Sequence, residues 1–144
     1  MPSSNTIDAL NRLYVLHNRS LAAYLHYAQP AGLAALPQAK AVLAQIATDH
    51  ARESDRLATL VLDHGGTVDP GEFPMWFTGL HDLSVEYLVK QLIERQRRFI
   101  AAAEKIADEL RMSPMASAAT REAVGEAKGH LDNLQELAGM RATA

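Results

Sequence analysis

The stretch ATDHARESDRL, residues 47–57, sets His50 and Glu53 three residues apart where Leu, Ile and Val otherwise recur at helical spacing. Residues i and i+3 share a helix face, so an imidazole nitrogen and a carboxylate oxygen there can hold one cation between them. His17 and His130 interrupt two other apolar stripes and can do the same from facing helices, and Gln96 interrupts a fourth. Burying an ionised Glu or an unpaired imidazole costs several kcal/mol unless such groups satisfy one another or bind something. A polar site inside a helical core is therefore the chemistry these residues suggest.

The elements that must position them are four long helices. At 144 residues the chain is read as a single domain, 1–144, and 48% hydrophobic residues with 6% aromatics suit packed helices rather than strands. Proline, glycine and capping residues delimit helices at about 5–29, 37–64, 83–112 and 114–140. Asn5 is the expected first cap, Pro37 a first-turn residue, Asp82 or Ser84 the third cap, and Ser113 with Pro114 the fourth start. Each helix is then about 35 to 43 Å long at 1.5 Å per residue.

Alternating steps of three and four residues select the inward seams. They read Ile7, Leu10, Tyr14, His17, Leu21, Tyr24 in the first helix and Leu43, Ile46, His50, Glu53, Leu57, Leu60 in the second. The third gives Val89, Leu92, Gln96, Phe99, Ala103, Ile106, and the fourth Thr120, Ala123, Ala127, His130, Leu134, Leu137. Each seam is apolar at both ends and polar in the middle. The polar members fall within roughly 5 Å of their helix midpoints, so they meet in an antiparallel bundle. Glu126, four residues before His130, lies at its seam's edge and can join if the helix is rotated slightly. A closed hydrogen-bond network without any ion is the competing arrangement of these same residues.

Of the other histidines, His26 projects outward, His64 sits where a helix ends at Gly65, and His81 is placed to cap the third helix. The joins around residues 30–36 and 113 are short and imply helical hairpins. GGTVDPGEFPMWFTGLHD is long enough to run the length of a helix, so the third helix can start at the far end, parallel to the second. Phe73, Trp76 and Phe77 are its apolar side.

This all-α plan, an up-down-down-up four-helix bundle with one long crossover between helices 2 and 3, resembles the ferritin-like superfamily. LNRLYVLHNRSLAAYLHYA and ESDRLATLVLDHGG look like the first two helices of bacterioferritin-like and rubrerythrin-like proteins. GEFPMWFTGLHDLSVEYL is similar to a bacterial branch of that superfamily. The resemblance implies a di-iron site with one Glu on each of two helices and a Glu-x-x-His on each of the others. By position, the first Glu falls on His17, the second helix's Glu and His on His50 and Glu53 in inverted order, the third helix's carboxylate on Gln96, and the fourth helix's Glu and His on Ala127 and His130. His130 alone keeps the expected type.

One core carboxylate in place of four suits a single divalent ion, Fe, Zn or Mn, or a degenerate di-metal centre, rather than ferroxidase chemistry. The resulting expectation is a metal-binding protein, redox or stress related, with His17, His50, Glu53, His130, Glu126 and Gln96 around the ion, and Tyr14 or Tyr24 near it. The alternative is a metal-free scaffold that works by dimerisation. A homodimer or larger homo-oligomer in the bacterial cytoplasm is expected. A formal charge of −3 gives no field for nucleic acid or an anionic membrane, the chain has no cysteine, and no Ser-His-Asp or P-loop pattern supports hydrolysis.

Overall fold

The computed structural model describes residues 4–142, and among them the all-α expectation holds, with no strand. Six helices form: α1 (Ser4–Asn18), α2 (Leu21–Ala28), α3 (Ala31–Ala34), α4 (Pro37–Asp63), α5 (Val85–Glu109) and α6 (Pro114–Ala142), with a 3-10 segment at Met75–Leu80. α1 packs on α4 and α5 on α6. Arg52 reaches Glu126 and Arg56 reaches Glu122, so positions rise along α4 as they fall along α6 and the two are antiparallel.

The first expected helix, 5–29, is corrected: it breaks at Arg19 and Ser20. Ser20 is extended (φ −69°, ψ 157°) and its hydroxyl accepts from the Ala23 amide at 3.1 Å, so it caps a new helix instead of continuing the old one. Gln29, in the left-handed region at φ 48°, then ends α2 ahead of Pro30. The join before α4 is not loop throughout, since Ala31–Ala34 makes one helical turn. Asn5 lies inside α1 rather than at its cap. Ser84 is the cap of α5, its hydroxyl accepting from Tyr87. His81 follows the 3-10 segment and does not cap α5: its Nε2 lies 2.5 Å from the Tyr24 hydroxyl. His64 does close α4, Nδ1 bonding the Leu60 carbonyl at 2.8 Å.

Residues 64–84 run along α1 and α2. Asn11 exchanges hydrogen bonds with the Asp69 backbone, and Asn18 and Arg19 donate to the carbonyls of Pro70 and Gly71. Gly71 has φ 69°, and a Cβ there would meet Val15 Cγ1 at 2.8 Å, so only glycine lets the strap lie this close. Phe77 is buried beneath the strap, Phe73 is half-buried and Trp76 is exposed.

Two apolar clusters fill the ends. One joins Leu25, Leu33, Leu43, Leu88 and Leu134, and the other joins Leu10, Leu13, Leu57, Ala103 and Leu110. Burying each such leucine stabilises the fold by about 1.5–3 kcal/mol. Between the clusters, every polar seam residue is buried.

Candidate metal centre

His17, His50, Glu53, Gln96 and His130 are each at most 5% exposed. The structure brings the imidazoles together as a row. His17 and His50 have ring centroids 5.0 Å apart, His50 and His130 5.9 Å apart, and the Phe99 ring packs on His17 and His50 at 4.8 and 5.3 Å.

The members differ in how their polar atoms are spent. His17 Nδ1 donates to the Leu13 carbonyl at 3.0 Å, and Gln96 Nε2 donates to the Ala127 carbonyl at 3.0 Å. Both ring nitrogens of His50 lack any hydrogen-bond partner, as do Glu53 Oε2 and His130 Nδ1. Orphaned buried groups of this kind are rare in folded proteins and each asks for an explanation.

A residue that the seams left out organises the outer half. Asp49 is buried, and its Oδ2 lies 2.7 Å from His130 Nε2. Burial alone would raise the Asp49 pKa, but the hydrogen bonds from His130 and Arg52 hold it below the usual carboxylate value. An ionised carboxylate only accepts, so His130 Nε2 carries a proton towards Asp49. Arg52 donates to Asp49 Oδ1 at 3.0 Å, bonds Glu126 Oε2, and lies 3.7 Å from Glu53. The Glu126 carboxyl is pushed up, by burial first and then by Asp49. Asp49, Glu126 and His130 each offer a donor atom, all within 4.8 Å of one another, and they are the one such group among the described residues.

The structure thus brings Glu126 and His130 together with Asp49. Glu53 and His50 lie beside this group with open lone pairs, His17 stands beyond them, and Gln96 is committed to α6.

Asp49 escaped the sequence reading for a geometric reason. The buried positions of α4 include the neighbours 49 and 50, 53 and 54, 60 and 61, a stripe two residues wide because α4 faces both α1 and α6. A seam drawn one residue wide keeps His50 and drops Asp49.

Two of the buried imidazoles, His17 and His50, are held neutral. Burial lowers the His17 pKa to about 4, against the opposing hydrogen bond to Leu13, and lowers that of His50 well below the ordinary value. Neutral imidazole is the form that ligates metals. Three carboxylates offset by the one Arg52 guanidinium leave two negative charges, which matches one divalent cation and falls short of a di-iron pair. The donor set therefore fits a mononuclear ion and not the four-carboxylate centre.

No protein-family model and no curated protein matches the chain. Among solved structures it is similar to the bacterioferritin of Desulfovibrio desulfuricans, described with its diiron site in different catalytic states. The TM-score is 0.74 at 16% identity, covering 93% of this chain and 78% of that one. At that identity the likeness carries the fold, and the chain has the ferritin-like helical bundle. Among the described residues no helix is long and apolar enough to cross a membrane.

Proposed function

We propose that this chain binds one divalent transition metal ion per bundle, iron, zinc or manganese, through Asp49, Glu126 and His130, with Glu53 and His50 completing the donor set. The observation that carries the reading is the coincidence of a three-donor cluster with unpartnered buried polar atoms on His50, Glu53 and His130. A closed, metal-free network would satisfy those atoms within the fold, so their lack of partners favours an ion. The neighbouring bacterioferritin holds a diiron site in the same kind of bundle, which supports iron as the first metal to try.

When bound, the ion would supply Lewis acidity and, if it is iron or manganese, one-electron redox chemistry. The chain's own residues set its surroundings. Without the ion Asp49 accepts from His130 Nε2; on binding, that proton would leave and both atoms would turn to the metal, so affinity should fall as pH is lowered. Phe99 and the apolar clusters exclude water from the inner side. Arg52, on the solvent side, holds Asp49 and Glu126 in place by charge and competes with the ion for their oxygens. Arg52→Gln is accordingly expected to bind metal at least as tightly as the parent.

The test is reconstitution with Fe²⁺, Zn²⁺ or Mn²⁺, desalting, and elemental mass spectrometry of the parent, Asp49→Asn and His130→Ala, with far-ultraviolet circular dichroism to establish folding. About one ion per parent chain and far less in both folded variants is the expected result. A parent without metal, or folded variants that keep it, would send the function to the metal-free scaffold and its partners.

A further inference from the structure

The break between α1 and α2 opens a groove that the metal reading does not use. It has a volume of about 310 Å³ and lies between the break, α5 and the strap. That is the lower end of the range for small-molecule clefts, roughly 300–1,000 Å³. Its floor is apolar, formed by Leu16, Leu21, Phe77, Leu92, Phe99 and Ala102. Gln96 is the polar group beneath, and its amide is already spent on the Ala127 carbonyl. Such a floor offers little to the many hydrogen-bonding groups of a sugar or nucleobase and suits a hydrocarbon.

The lining residues above this floor are cationic. Arg19, Arg95 and Arg98 line the groove against one acid, Glu72. Arg98 shares its charge with Glu94 at 3.2 Å, and Arg19 stacks on Phe73 while its Nε donates to backbone carbonyls. Arg95 is different. Its guanidinium carbon lies 5.4 Å from the Trp76 ring centroid, and among the described residues no carboxylate lies within ion-pair distance of it. A half-buried guanidinium steadied by an aromatic face has a fork of donors matched to one carboxylate.

We propose that this groove binds an amphipathic monocarboxylate of medium chain length, a fatty acid in chemical class, its chain along the floor and its carboxylate on Arg95. Charge complementarity selects this occupant: an apolar trough bordered by net positive charge admits a long chain with one anionic end, and the small volume limits the chain. The site stands independently of any metal.

Trp76 is the chain's one tryptophan and lies against Arg95, so its emission reports on the groove. Decanoate below its micellar concentration is titrated into the full chain, followed by Trp76 emission and by calorimetry, with uncharged decanol as comparator. Saturable one-to-one binding of decanoate is expected, weakened at least tenfold for decanol and for Arg95→Gln. Ala102→Phe, which fills the floor without touching Arg95 chemistry, is expected to abolish it. Absence of saturation, equal binding of decanol and decanoate, or unimpaired binding by Ala102→Phe would each overturn the proposal. Sedimentation is run alongside. A dimer that decanoate leaves intact and Ala102→Phe dissolves would assign the groove to a second copy and overturn it too.

Discussion

The ends of this bundle and its middle are built from the same helices under opposite rules. At the ends, leucines and alanines interlock, and their attraction is non-directional and needs no partner of a particular kind. In the middle, buried side chains that carry donors or acceptors gather around Phe99, and only some are matched by hydrogen bonds: Asp49, Gln96 and His17 have partners, while His50 has none. The ends stabilise the fold; the middle spends some of that stability to keep lone pairs available. Such local conflict with folding is the usual mark of a functional site.

The contrast can be broken or sharpened in decreasing steps. Leu10→Ala or Leu57→Ala, at fully buried end positions, is expected to lose about 2–5 kcal/mol in urea unfolding, by the same amount at pH 7 and pH 5. An equally large pH dependence of that loss would show that ends and middle are coupled.

The middle carries the next effect, as pH sensitivity. His17 has a folded pKa of about 4 against 6.5 unfolded, so the unfolded chain binds the extra proton first and stability falls as pH drops from about 6.5 towards 4. The loss is on the order of 3 kcal/mol for His17, and His50 acts in the same direction. Asp49, whose folded pKa is depressed, adds a loss at still lower pH as it is protonated. Urea unfolding of the metal-free protein across this range should show the slope, and His17→Leu with His50→Leu should flatten it.

Asp49→Asn removes the charged partner of His130 and is expected to cost about 1–3 kcal/mol by thermal melting. His50→Leu is the sharpest contrast with the end leucines. It removes two unpartnered nitrogens, so the metal-free protein should keep its stability within about 1 kcal/mol or gain. A loss as large as that of Leu57→Ala would mean that His50 is bonded within the fold. The smallest effect belongs to the exposed Arg56–Glu122 pair, where Arg56→Ala should change stability by about 0.5 kcal/mol or less.

Much of this division was legible in the sequence, because seam periodicity depends only on spacing. The chosen positions of the third and fourth helices are buried throughout, and the polar residues share one depth. Three features were not legible. The break at Arg19–Ser20 leaves the periodic pattern in phase, Leu21 and Tyr24 following His17 as if the helix ran on, and only the Ser20 cap betrays it. Asp49 lay outside a one-residue seam. Arg52, 57% exposed at its side chain, reads as a solvated charge until α6 brings Glu126 against it. Spacing along one helix does not carry contacts that two helices make together.

The most direct measurement is anomalous diffraction from a crystal grown with Fe²⁺, Zn²⁺ or Mn²⁺, collected at that metal's absorption edge. One strong peak within bonding distance of Asp49, Glu126 and His130, with Arg52 turned away, is the result this account requires. An ordered middle layer with no peak, or a peak only on the surface, would contradict it and leave His50 and Glu53 as parts of a polar core without an ion.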